Sequence, residues 1–348
     1  MKKRLLAIIA TAAMVVTMIP SMVFATVEDP CTQSPCTHVA KVGTAHYDGL
    51  QEAIIAAAPS GTVEILKNVT VEEWKMFAES MTHTDIITLN INGITINGNG
   101  KTLTVKKVVS GSNGGYLFYS AKKLNINDLT ISLPNGGGVG LKSGILNNVT
   151  FDGGNGVYPG TGEVAINDCV FKTKGQAVYY EEARDNLTVS NCTFDVADGA
   201  NIIILRGKEV FKDNTINSGR TVNIAASGSP EVSGNKFNND VRLKVYNDAT
   251  ATIFNNTVSN LVFEDASVPK SEFVGNTLSA AAEATLKRVG GENKPAPAPT
   301  PEPTPEAKPA AKPDNSPNTG DNSMAPIAVA GLALAAMASY FSLRIFVR

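Results

Sequence analysis

The chain has 348 residues, with 30 Lys+Arg against 32 Asp+Glu and a formal net charge of −2. No basic excess is available to support a nucleic-acid footprint. Thirty glycines, 6% aromatic residues and almost no long amphipathic helical pattern suit short strands and tight turns, and argue against a helical bundle.

Residues 1–25 are laid out as a secretory signal. Lys2, Lys3 and Arg4 precede an apolar run from Leu5 to about Ile19, and Val23 and Ala25 fit a signal peptidase, so cleavage is expected after Ala25. The competing reading is an uncleaved anchor, but the apolar run is short for a span. Residues 26–92 are assigned to an N-terminal cap segment. In it Cys31 and Cys36 flank a Thr-Gln-Ser-Pro turn with His38 two positions on. An oxidising exterior favours a Cys31–Cys36 disulfide loop. A metal site from these three residues lacks a nearby fourth ligand and ranks below it. A short amphipathic helix is expected within 47–58, followed by a turn and a strand at 59–66. Trp74 reads as a packing residue, and His46 and His83 as structural or exposed.

From about Gly93 the sequence repeats. Units such as Ile126-Asn-Asp-Leu-Thr-Ile131, Ile166-Asn-Asp-Cys-Val-Phe171 and Val232-Ser-Gly-Asn-Lys-Phe237 recur, their last apolar residues standing 20, 20, 23, 22, 21, 21 and 20 residues apart. Between units lie strands of period two, at 221–225, 241–245 and 261–265. A period of about 21 residues with at least two strands and no helix is one turn of a coil. Stacking equivalent strands about 4.8 Å apart pairs their backbones and joins the inward side chains into one core.

One column runs Leu129, Val149, Cys169, Cys192, Asn214, Asn235, Asn256, Asn276, and its four consecutive asparagines predict a side-chain ladder inside the turn. Asparagine is also expected to supply the left-handed conformation that a sharp turn needs. Cys169 and Cys192 read as stacked buried thiols in preference to a disulfide, because parallel side chains aim their sulfurs poorly. These residues resemble the right-handed parallel β-helix proteins of the pectate lyase-like superfamily. The resemblance covers 93–278 and implies an all-β, right-handed solenoid with short helical caps. The C-terminal cap is placed at 279–291, with a helix at 279–288 stopped by Gly290 and Gly291.

The same resemblance implies where chemistry would sit. Polygalacturonase-like members would carry Asn-Thr-Asp, Asp-Asp, Gly-His-Gly and Arg-Ile-Lys segments. This chain has no Asp-Asp pair, no Gly-His-Gly and no histidine after His83, and Arg242-Leu243-Lys244 echoes only the last segment. A lyase would need calcium-binding carboxylates beside a base, and Glu181, Glu182 and Asp185 with Arg206 one rung on are the candidates. With Val178 and Tyr180 inward, Tyr179 and Glu181 face outward. Asn223, Lys244 and Glu264 follow on later rungs, with Arg220 and Arg242 nearby. Two readings therefore stand: a binding surface for a glycan or protein made by Tyr179, Asn223, Arg242 and Lys244, or a polysaccharide lyase or hydrolase. The first needs no cofactor or metal; calcium enters only under the second. A monomer is expected. The glycine-rich loops 136–140 and 153–162 give no reading.

Residues 292–318 carry repeated Pro-Ala, Pro-Glu and Lys-Pro steps. They are expected to form an extended spacer of on the order of 80 Å. Then come Ser316-Pro317-Asn318-Thr319-Gly320, an apolar stretch at 324–343 long enough to span a bilayer, and a basic tail with Arg344 and Arg348. Residues 316–348 resemble the sorting signal of Gram-positive surface proteins, with Ser316 where the commonest pattern has Leu. That resemblance implies a membrane-inserted precursor, a sortase cutting between Thr319 and Gly320, and Thr319 joined covalently to peptidoglycan outside the cell.

Overall fold

The computed structural model describes residues 36–79, 81, 83–109 and 115–297. The signal at 1–25, Cys31, the sorting motif at 316–320 and the apolar stretch at 324–343 lie outside the described residues. Among the described residues no helix is long and apolar enough to cross a membrane.

The described chain is an all-β parallel solenoid with two short helices. Each coil contributes three short strands, and each strand stacks in register on its equivalent one coil later. Before the turn, residues 124–127 of Leu124–Leu133 pair with 144–147 of Gly144–Gly153. Val164–Asn167, Leu187–Ser190, Val210–Lys212, Glu231–Ser233, Thr252–Phe254 and Glu272–Val274 follow. After the turn, the second sheet runs through 129–133, 149–153, Val170–Thr173, Thr193–Asp195 and Thr215–Ser218. The third sheet holds Val139–Leu141, Val157–Pro159, residue 178, Ile203–Leu205, Thr221–Ile224, 242–245 and 260–263.

Period-two sequence makes this core. On the second sheet Phe151, Phe171 and Phe194 are buried and stacked, with centroids 5.0 and 4.9 Å apart and planes within 10° and 2°. Each buried ring stabilises the coil by about 2 kcal/mol. Cross-rung stacking fixes the register as well, because a one-residue slip would turn the row outward.

The turn between the first two sheets has two adjacent columns with different tasks. Asp128, Asn148, Asp168, Asn191, Asp213 and Asn255 take φ between 50° and 55°, and glycines at 234 and 275 complete the column. The left-handed position is thus one residue before the ladder, not in it as the sequence suggested. The ladder residues point inward. Asn214 Nδ2 donates to Asn235 Oδ1 at 2.9 Å, Asn235 Nδ2 to Asn256 Oδ1 at 2.9 Å, and Asn256 Nδ2 to Asn276 Oδ1 at 3.0 Å. Each Oδ1 also accepts the backbone N–H of the rung below, so one amide satisfies groups on two rungs. Cys169 and Cys192 continue the column as free buried thiols. Contact with Cys169, then burial, raises the Cys192 thiol far above the ordinary range.

Both ends are covered. At the N-side, Ala40–Val42 and Ala45–Tyr47 form an antiparallel hairpin whose first strand pairs Thr62–Ile65. The helix Leu50–Ala57 lays Leu50, Ala53, Ile54 and Ala57 on the first coil. Parallel pairing begins earlier than Gly93, since Thr62–Ile65 and Val69–Ala78 already stack on Thr95–Val109. Trp74 is fully buried there, meets Phe77 and Phe118 edge-on, and donates Nε1–H to the Leu117 carbonyl at 3.0 Å. At the other end the helix Ala280–Arg288 buries Ala282 and Leu286. The chain then returns: Asn293–Lys294, placed by sequence in the spacer, pairs with Glu272–Val274 and extends the ladder to Asn293.

Candidate functional site

The third sheet presents the site. The bridge between Val157 and Val178 sets Tyr158 beside Tyr179, with ring centroids 5.6 Å apart. Tyr116 reaches Tyr158 at 5.5 Å and Tyr119 at 5.8 Å, so four tyrosine rings follow one another: Tyr116 and Tyr119 stand on one coil, Tyr158 two coils on across Gly140, and Tyr179 on the coil after that. Gly140 makes the row possible. It pairs with Tyr158 in register, and a Cβ there would stand 2.9 Å from the Phe118 carbonyl oxygen and 3.6 Å from the Tyr116 ring. The rings of Tyr116, Tyr158 and Tyr179 line a cleft together with Asn155 and Gln176. A second cleft on the other side of Tyr158 is lined by Lys122, Lys142, Glu79 and Thr161.

The electrostatics keep these phenols neutral. Burial, followed by its tyrosine neighbours, pushes Tyr116 up to about 12, and burial raises Tyr158. Tyr179 is raised first by donating its hydroxyl to Glu181 at 2.6 Å. The row therefore offers ring faces and hydroxyls, a surface suited to the apolar faces and hydroxyls of sugars.

Further along the same face Ile204, Asn223, Lys244 and Val262 stand in one register column. Lys244 pairs with Glu264 and lies 4.9 Å from the Tyr246 ring centre. Hydrogen bonding to Glu264 raises its ammonium above the usual lysine range. Arg242 is exposed and sits opposite Thr221 and Asn260. Tyr179, Asn223, Arg242 and Lys244 thus share one sheet face. Asn223 Oδ1 and Arg206 Nε are buried and have no hydrogen-bond partner.

The acidic candidates are held by separate partners. Glu181 accepts from Tyr179, Glu182 pairs with Arg184 at 3.4 Å, and Asp185 accepts the Lys208 N–H at 3.2 Å. The carboxylate that organises this region is Glu209, which the sequence reading missed. It is fully buried, and its oxygens accept from the Tyr180 hydroxyl at 3.0 Å and from the backbone of Arg184, Arg206 and Gly207 at 2.8–3.2 Å. These bonds clamp the corners after Tyr180 and Leu205, and so set where Tyr179, Glu181 and Arg206 project. The tyrosine row was also missed. Its signal was the separation of Tyr158 and Tyr179 by one coil, 21 residues.

Among the described residues, one group of three metal-type donors converges: Cys36, His38 and His46 in the N-terminal hairpin. Cys36 is disulfide-bonded, and its expected partner Cys31 lies outside the described residues.

No family model, curated protein or solved structure matches the chain.

Proposed function

We propose that this chain is a surface-displayed β-solenoid that binds an extended glycan along its third sheet. The observation that carries this reading is the row Tyr119, Tyr116, Tyr158, Tyr179, whose rings follow one another at 5.5–5.8 Å. Ring faces that follow one another present an elongated surface, which suits an extended polysaccharide better than a small ligand. Asn223, Arg242 and Lys244 continue the face with polar groups for hydroxyls and carboxylates. The Asn ladder and the three-strand coil support placing the fold with right-handed, pectate lyase-like β-helices.

The adopted reading is a binder, because the hydrogen bonds of Glu181, Glu182 and Asp185 draw them to three different partners. A lyase using Arg206 and calcium would need them drawn to one point. The test is a glycan array probed with the exported chain and with a Tyr158→Ala, Tyr179→Ala double variant. Wild type should bind a polysaccharide class that the variant binds at least about tenfold more weakly, a loss of about 1.4 kcal/mol or more. No glycan bound by wild type would contradict the reading.

Display rests on the sequence at the two ends: a signal at 1–25 and Pro317-Asn318-Thr319-Gly320 before an apolar stretch. Signal peptidase and a sortase would process the chain, and peptidoglycan would be its covalent partner. Protein released from walls by muramidase should end at Thr319 with attached peptide; a chain still carrying 320–348 would refute wall anchoring.

A further inference from the structure

The coils that follow Tyr179 carry two side chains whose hydrogen bonding the fold leaves unfinished. Among the described residues, the buried side-chain nitrogens and oxygens without a hydrogen-bond partner are Arg206 Nε and Asn223 Oδ1. We propose, on the glycan reading above, that Arg206 and Asn223 form a subsite that reads sugar hydroxyls. The bound glycan supplies the acceptor and the donor that these two groups lack.

Strand pairing places both groups beside the last ring of the row. Val178 N–H donates to the Ile202 carbonyl at 2.9 Å, which sets Tyr179 alongside the strand Ile203–Leu205. Arg206 follows that strand, one coil beyond Tyr179. Asn223 pairs with Ile204 on the coil after that. At about 4.8 Å per coil the two stand within about 10 Å of Tyr179, on the path of a glycan laid along the sheet. Tyr179, raised first by its bond to Glu181, feels the Arg206 charge in the opposite sense. Glu209 fixes the Arg206 backbone, accepting its N–H at 3.1 Å and that of Gly207 at 2.8 and 2.9 Å. The guanidinium has no such tether among the described residues. The acids around it are engaged elsewhere: Glu181 with Tyr179, Glu182 with Arg184, and Asp185 with the Lys208 N–H.

A buried N–H or carbonyl left unpaired costs free energy, and each one in a native structure calls for a reason. Here the two are one donor and one acceptor. A carboxylate or sulfate only accepts, so it would pair Arg206 and leave Asn223 Oδ1 stranded. A hydroxyl both donates and accepts, and neighbouring hydroxyls of a sugar ring serve both side chains. Arg206 has no side-chain bond to break before it turns onto a ligand. A site of this kind rejects analogues that lack the hydroxyl, because its own polar groups then stay unpaired. The tyrosines thus hold ring faces, whereas Arg206 and Asn223 select by hydroxyl pattern.

Arg206→Met and Asn223→Leu replace the unpartnered groups with apolar ones of similar size. Both variants of the exported chain should be compared with wild type in urea unfolding and on an array of neutral and uronate oligosaccharides. Lys236→Met, at an exposed position of the second sheet, is the control. The urea midpoints should equal or exceed that of wild type, since no native hydrogen bond is lost. Binding of the neutral oligosaccharide that wild type selects should weaken by about tenfold or more in each variant and stay unchanged in Lys236→Met. Undiminished binding in either variant, or a urea midpoint that falls in either, would give that group another role and overturn the proposal. Wild type that binds only uronate sugars would overturn it as well, while leaving the tyrosine row as the binding face. Wild type that binds no sugar would sink the glycan reading, and this subsite with it.

Discussion

Asn256 shows how much a single residue does in this fold. Its Oδ1 accepts from Asn235, and its Nδ2 donates to the Val232 and Phe254 carbonyls and to Asn276. Asn256→Ala strands several buried groups at once, and should cost about 3 kcal/mol in urea unfolding. A loss below about 1 kcal/mol would mean the ladder is decoration. Cys169→Val, in the same column but with only weak thiol bonds to the backbone, should cost much less. The tyrosines set a second residue-scale expectation. Tyr116 is raised to about 12 by burial, while an unfolded tyrosine titrates near 10. Above pH 10 the unfolded chain therefore binds fewer protons than the folded one, and stability falls as pH rises towards 12. Tyrosinate absorbance should show a late phase that shrinks in Tyr116→Phe, and a wholly normal titration would contradict the packing of the row. Both sites were unequally legible. The ladder was readable because eight coils repeat one column. Its left-handed neighbours were assigned one residue too late, because Asn stands in both columns. Glu209 gave no signal, since a buried carboxylate is recognised only when a corner wraps four N–H and O–H donors round it.

At the scale of elements, the two ends cover the core and strand edges that an open coil would expose. The helix Ala280–Arg288 is held by Ser279, whose side chain accepts the Ala282 N–H at 3.1 Å, and the returning strand Asn293–Lys294 covers the last rung. Truncation after Leu278 removes both and bares an edge strand together with core residues such as Phe273. Light scattering should then detect oligomers that the chain ending near residue 297 does not form; a monodisperse truncated chain would show the cap to be dispensable. The helices were legible from amphipathic spacing and a Ser cap. The returning strand was not, because two residues among prolines carry no periodicity and only the ladder partner, Asn276, makes Asn293 meaningful.

For the whole molecule, the sequence period translates directly into a stack of coils, and the stack turns single outward side chains into rows. The charged half of the third sheet was predicted from alternation, and Tyr179, Asn223, Arg242 and Lys244 do share a face. The aromatic half was hidden in glycine-rich loops, where Gly140 and its neighbours let strands approach and rings meet without leaving a pattern in the sequence. If the row is the binding surface, its length sets the length of ligand it prefers. The most direct test is calorimetric titration of the exported chain with an oligosaccharide series from the polysaccharide class it selects. Affinity should climb with each added sugar until the chain of rings from Tyr119 to Tyr179 is covered and then level off, and Tyr158→Ala should flatten the climb. Affinity independent of ligand length, or unchanged in Tyr158→Ala, would contradict a glycan laid along the tyrosine row.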